Sequence, residues 1–251
     1  MSGHSKWANI KHKKDATDRK KGKIFSRATK EIIAAVKRGG GDPSANANLR
    51  NALASARAVN MPNANIDRAI KKALGEEGSV NYDEIIYEGY APGGVAILVQ
   101  SLTDSRNRTA SEVRMIFDRG NGSLAGGGTV LWMFKRKAHF IVTGEHANEE
   151  KLMELLIDAG LDNVEIDNGI AEIWGEPDKF ESLSNALQAA GIPPEEANII
   201  QTPDNLVEVK DPAVAKQVLS LIEKLEELDD TQAVYSNFDA SPEILESIHQ
   251  Q

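Results

Sequence analysis

The chain has 251 residues, 41% apolar and 27% charged, with a net charge of −9 and no cysteine. Zero cysteines exclude disulfides, thiolate nucleophiles and Cys-ligated metal centres. No apolar run approaches about eighteen residues, which excludes a helical membrane span, and the length makes two or three domains the expectation.

Residues 1–22 hold only Trp7 and Ile10 as sizeable apolar groups, and Gly3 and Gly22 interrupt any regular pattern. So little surface to bury cannot offset ordering entropy, so a flexible basic tail is expected there. The tail has charge without an apolar h-region, so no secretory signal is expected and a cytoplasmic location is. A basic three-helix domain follows over 23–78. Its first helix is expected from Lys23 to Arg38, with Phe25, Ala28, Ile32 and Val36 at helical spacing and Gly39-Gly40-Gly41 as the stop. The second takes Asp42 as N-cap and Pro43 as its first residue, with Leu49, Ala52, Leu53, Ala56 and Val59 inward. A turn at 60–63 leads to a third helix, 64–74, that turns Ile66, Ile70 and Leu74 inward. The linker is Gly75-Glu76-Glu77-Gly78-Ser79.

The period then changes toward strands. Strands are expected at 85–90 and 95–102 around Ala91-Pro92-Gly93-Gly94. A helix is expected at 109–119 behind the capping box Thr109-Ala110-Ser111-Glu112, and a strand at 129–135. From Ala138 the pattern reads strand 140–143, helix 148–159, strand 163–167, an Asn168-Gly169 hairpin turn, strand 170–174, helix 178–190 and strand 197–201. That βαββαβ order is ferredoxin-like. Strand 206–209, helix 213–228 and strand 233–237 cannot make a core alone, but they complete the earlier ββαβ piece. The expected class is therefore α+β multidomain: the helical domain, then an α+β domain of 79–136 plus 204–240, with a ferredoxin-like domain, 137–203, inserted in it. Residues 241–251 read as a C-terminal tail.

Charge is distributed very unevenly. Residues 1–75 carry 17 basic and 5 acidic side chains, and the rest carries 12 and 33. Such asymmetry points to a polyanion, and nucleic acid is the natural one, because neutralised phosphates release counterions. The candidate contacts in the tail are His4, Lys6, Trp7, Lys11, His12, Lys13, Lys14, Lys20 and Lys21. On the first helix they are Lys23, Arg27, Lys30, Lys37 and Arg38, and on the third Arg68, Lys71 and Lys72. Trp7 can stack on an unpaired base, or can pack on the helices instead. Arg106, Arg108 and Arg114, with Arg119 nearby, form a second basic cluster. It reads as a second nucleic-acid contact or as internal ion pairs with the surplus carboxylates. Gly120-Asn121-Gly122 and Gly126-Gly127-Gly128 lack the Lys-Ser/Thr and the strand-to-helix context of a phosphate loop, so flexible connectors are expected. His139 and His146 flank a predicted strand and are expected at the surface. His4 and His12 lie without a ligand pattern, and no hydrolase, zincin or Walker sequence occurs. No enzyme, cofactor, metal or small-molecule substrate is expected.

Several stretches resemble one family. They are Gly3-His4-Ser5-Lys6-Trp7-Ala8-Asn9-Ile10-Lys11, the run 20–30, Asn60-Met61-Pro62, Tyr87-Glu88-Gly89-Tyr90-Ala91-Pro92-Gly93-Gly94, Thr103-Asp104-Ser105-Arg106-Asn107-Arg108-Thr109 and Trp132-Met133-Phe134. Together they are similar to the YebC family over nearly the whole chain, to about Asp239. The resemblance implies a helical domain followed by two α+β domains. It also implies a bacterial, cytoplasmic, DNA-binding transcriptional regulator. Mitochondrial relatives that activate translation of cytochrome oxidase, and bacterial ones linked to relief of ribosome stalling, imply a translation factor on ribosomal RNA. A mobile basic tail with one stacking residue suits irregular RNA, and no recognition helix with a dimer interface is evident. An adaptor whose acidic domains hold a basic protein is the alternative from another class.

Overall fold

The computed structural model describes residues 18–75 and 81–249, with side chains from Gly22 to Ile248. The linker at 76–79 and most of the tail lie outside the described residues. Among those described, two compact units form: 82–135 with 202–249, and 18–75 with 136–201.

In the second of these units, α1 (Asp18–Gly39), α2 (Ala47–Ala58) and α3 (Asn63–Leu74) pack together. Helix α1 starts five residues before the expected Lys23 and runs through Gly22, so 18–22 belong to a helix rather than to a tail. One interior glycine costs only about 1 kcal/mol in a long helix. The buried residues of α1 are Ala28 and all of Ile32, Ile33, Ala34, Ala35 and Val36. The helix is thus enclosed on all sides over 32–36, in its C-terminal half, and more open before that. Helix α2 begins at Ala47, not beside Asp42. Asp42 instead holds a local turn, accepting from Ser44 N–H at 2.9 Å and the Ser44 hydroxyl at 2.8 Å. The N-cap is Asn46, whose Oδ1 accepts from Leu49 N–H. In α3 the buried set is Ile66, Ala69 and Ala73; Ile70 is half-buried and Leu74, expected inside, is exposed.

The same unit holds β4 (Phe134–Thr143, from Arg136 on), α5 (Glu149–Leu156), β5 (Leu161–Asp167), β6 (Ile170–Gly175), α6 (Phe180–Ala189) and β7 (Glu196–Pro203, up to Gln201). The sheet order is β5-β6-β4-β7, which is the ferredoxin-like arrangement. Asn168 and Gly169, both at positive φ, make the β5–β6 turn. Phe140, Val142, Ile173, Leu152, Leu156, Leu183 and Leu187 fill the core between sheet and helices. Ala54 of α2 packs against that core, and the Ser55 hydroxyl reaches Ala197 O at 3.0 Å. His139 is buried rather than at the surface. Its Nε2 lies 3.2 Å from Glu172 Oε2, and its ring centroid lies 4.2 Å from that of Trp174.

The other unit carries a sheet of order β3-β1-β2-β9, formed by β1 (Asp83–Ala91), β2 (Val95–Thr103), β3 (Ser123–Ala125) and β9 (Thr231–Ser236). Helices α4 (Arg106–Arg119) and α7 (Pro212–Glu226) cover one face through Val113, Phe117, Val218, Leu221 and Ile222, packed on Val95, Ile97 and Val99. The expected strand at 206–209 does not enter this sheet. It shortens to β8 (Val207–Glu208), which pairs in parallel with β10 (Phe238–Asp239) as a separate ribbon. Asn237 marks the divergence: its side chain accepts from Ala96 N–H at 2.7 Å, ending the β2–β9 pairing. The expected tail at 241–251 is largely helix, α8 (Pro242–His249), with Leu245 in the core. The strand expected at 129–135 is a loop and a 3-10 turn (Leu131–Met133) before β4 starts at Phe134. Helix α4 begins at Arg106, so Thr109 lies inside it and no capping box forms there.

Candidate nucleic-acid interface

The candidate contacts His4, Lys6, Trp7, Lys11, His12, Lys13 and Lys14 lie outside the described residues. Lys20 and Lys21 fall in α1, with their side chains outside the described set. On α1, Lys23, Arg27 and Lys30 are half-buried, and Lys37 and Arg38 are exposed at the C-terminal turn. All five have partners. Cations at a helix C-terminus are favoured by the helix dipole. On α3, Arg68 and Lys71 are exposed and Lys72 half-buried, and their i, i+3, i+4 spacing puts them on one face. Arg57, exposed in the last turn of α2, adds a cation that the sequence reading did not single out.

The presentation of these helices rests on Asn46. Its Nδ2 donates to Ala35 O and Gly40 O, each at 2.8 Å, while its Oδ1 accepts from Leu49 N–H at 3.1 Å. One side chain therefore ends α1 and starts α2. Gly39 makes room for it, since a Cβ there would lie 2.7 Å from the Asn46 amide. Arg50 is structural as well. It donates to Pro43 O at 2.8 Å and Ser44 O at 3.1 Å, and pairs with Glu181 of α6 at 2.9 Å.

The second cluster divides. Arg106 Nε pairs with Asp83 Oδ2 at 2.7 Å. Arg108 pairs with Asp104 at 2.8 Å and with Asp230 at 2.6 Å. Donating hydrogen bonds to Asp230 and Asp104 raises its guanidinium further above the usual arginine range. Asp230, 4% exposed, also lies within hydrogen-bond distance of the hydroxyls of Thr103 (3.0 Å) and Thr109 (2.8 Å). Arg106 and Arg108 thus form the ion pairs of one reading, while both side chains stay exposed. Arg114 and Arg119 instead line an open concavity along α4, with Asn107, Ser111, Met115 and Asp118.

Neither glycine-rich stretch is a loose connector. At Gly120 an added Cβ would meet Leu221 at 2.7 Å, and at Gly122 it would meet Tyr90 O at 2.7 Å, so this turn is packed. The 126–131 segment wraps the carboxylate of Glu88, which accepts from Gly128 N–H (2.5 Å), Val130 N–H (2.7 Å) and Leu131 N–H (2.9 Å). Burial pushes this carboxyl up, but the amide donors outweigh it and hold the group below its ordinary value. The amides that could have cradled a phosphate are thus satisfied from within. Among the described residues no group of three or more His, Cys, Asp or Glu converges on a metal site, and no helix is long and apolar enough to cross a membrane.

Comparison with known proteins agrees over this whole frame. Residues 5–76 match the TACO1/YebC protein N-terminal domain, and 82–238 match the TACO1/YebC second and third domain. A "Probable transcriptional regulatory protein" of Natranaerobius thermophilus is 49% identical over 250 residues, which is 98% of this chain and all of that one. One of Chlorobium phaeobacteroides is 50% identical over 252 residues, 99% of each chain. The crystal structure of a conserved hypothetical protein from Aquifex aeolicus matches with a TM-score of 0.86 at 43% identity, over 95% of this chain and 98% of that one. With both domain descriptions matched in order along nearly the full length, the chain belongs to the TACO1/YebC family.

Proposed function

We propose that this protein is a non-enzymatic regulator of gene expression that acts in the cytoplasm by binding nucleic acid through its basic end. One observation carries the reading: 17 basic against 5 acidic residues over 1–75, in a chain otherwise strongly acidic. Irregular or single-stranded RNA, such as ribosomal RNA, is the favoured ligand. The tail sequence supplies clustered cations and one indole at Trp7, a combination that rewards exposed bases as well as phosphates. The ribosome is then the partner, and no small-molecule substrate is involved.

Duplex DNA is the second reading. Helices α2 and α3 are joined by the short turn 59–62, as in helix-turn-helix modules, and α3 carries Arg68, Lys71 and Lys72. The relatives' printed name, transcriptional regulatory protein, favours it too. The deciding experiment sediments the full chain with ribosomes at moderate salt and titrates it against duplexes of differing sequence. Co-sedimentation without preference among duplexes is expected. A duplex shift with clear sequence preference and no ribosome association would establish the DNA reading.

A further inference from the structure

Trp132 is 70% exposed, the most exposed of the large apolar side chains described. Its neighbours in sequence behave differently. Leu131 and Met133 pack inward with Val130, Phe134, Ala96 and Leu98 on the face of the sheet away from α4 and α7. The turn that throws Trp132 outward is fixed by Glu88, 3% exposed on the central strand β1, where it pairs with Leu98 and Ala125. Its carboxylate accepts the amides on either side of Thr129, and the Thr129 hydroxyl donates to Gly126 O at 2.7 Å. The Trp132 indole N–H donates to Thr129 O at 2.9 Å. The one polar group of the ring is therefore used within the loop, and what remains for recognition is the pair of π faces, held in place before any ligand arrives.

We propose that Trp132 stacks on an unpaired base of RNA, making the 126–133 loop a second nucleic-acid contact outside the basic helical domain. The chemistry of the surroundings favours a base over a protein partner. An aromatic anchor in a protein interface sits among other apolar side chains in a packed centre. Here the exposed chain neighbours are glycines, Thr129, Arg136 and Lys135, which pairs with Asp204 at 2.9 Å, and none is a large apolar side chain. A Cβ at Gly126 or Gly128 would meet nothing within 4 Å, so the backbone is open to a sugar-phosphate chain. Because the indole carries no charge, the contact it makes is a stacking one and insensitive to salt. This inference rests on the nucleic-acid reading above.

The test uses the full chain with a short oligoadenylate RNA and a duplex DNA of matched length. Trp132→Ala should raise Kd for the single strand by about 5- to 150-fold, the range that base–aromatic stacking gives, with the salt slope unchanged and duplex binding unaltered. Trp132→Phe should recover part of the loss. In a variant with Trp7→Phe and Trp174→Phe, Trp132 is the sole indole, and its emission should be quenched as the oligoadenylate saturates. Unchanged single-strand affinity of Trp132→Ala, or unaltered emission at saturation, would overturn the proposal while leaving binding by the basic end intact. Unchanged RNA affinity with lost ribosome co-sedimentation would assign Trp132 to a protein surface and overturn it equally. If the wild-type chain binds neither nucleic acid, the functional reading itself fails and this inference falls with it.

Discussion

Asn46 is 4% exposed and divides its amide between the end of one helix and the start of the next. Removing it takes a donor from Ala35 O and Gly40 O and the acceptor from Leu49 N–H, so Asn46→Ala should cost about 2–3 kcal/mol in urea unfolding, more than an ordinary cap. Glu88 is the comparable residue in the other unit. Glu88→Ala should cost about 2–4 kcal/mol, because three amides lose a charged acceptor. Its effect has a pH signature. The folded-state carboxyl lies below its ordinary value near 4.5, so its contribution is full above that value and is lost as pH falls through the depressed one. Glu88→Gln should therefore flatten the decline of the urea midpoint below about pH 4.5, the region where linkage places the loss. An unchanged acid limb would mean that the amide donors do not set this carboxyl. Neither residue was legible in advance, since Asn46 follows a more obvious Asp42-Pro43 signal and Glu88 reads as one of many surface acids. Their roles depend on partners that periodicity does not report: chain neighbours around a turn for Asn46, and a segment about 40 residues away for Glu88.

At the scale of elements, the long periodic segments were readable and their ends were not. The ferredoxin-like strands and helices follow from clean alternation, and the Asn168-Gly169 turn fixes their hairpin. The missed starts have different causes, and at α4 a local signal is outweighed by a tertiary partner. Thr109 resembles an N-cap, but its hydroxyl is 2.8 Å from Asp230, over a hundred positions away in the chain, and α4 extends back to Arg106. Helix α8 had a signal that was passed over. Ser241-Pro242-Glu243 is a helix start, and Ile244, Leu245 and Ile248 repeat at helical spacing. Leu245 is 3% exposed, so Leu245→Ala should lower stability by about 2–4 kcal/mol, measured by chemical denaturation. A change under about 0.5 kcal/mol, the size expected at a surface site, would return this segment to the status of a tail.

For the whole molecule, counting strands leads to one α+β segment inserted within another; residues 82–135 and 202–249 do share one unit, but the strand expected at 206–209 leaves the sheet that the count assigned and pairs with β10 instead. The candidate interface was legible as charge and not as geometry. Helical spacing does not report that Lys23, Arg27 and Lys30 are half-buried, whereas ion pairing of Arg106 and Arg108 is one of the two readings of their cluster, with Asp83, Asp104 and Asp230 as the partners that spacing does not name. The exposed cations of α3 are consequently the better test of the helical domain. Arg68→Glu with Lys71→Glu should weaken binding to duplex and single strand alike and reduce the salt slope by about 1.5 to 2, as loss of two phosphate contacts requires. Arg106→Ala should leave affinity within about twofold, because that guanidinium is engaged by Asp83 and mutated non-contacting surface residues change little.

The basic end as a polyelectrolyte contact is the claim on which the rest depends, and the salt dependence of single-strand RNA binding by the intact chain tests it most directly. If about five phosphates are neutralised, log K should fall against log salt with a slope of about −3 to −4 on a single strand. A slope near zero would contradict the account and favour instead an adaptor whose acidic domains hold a basic protein.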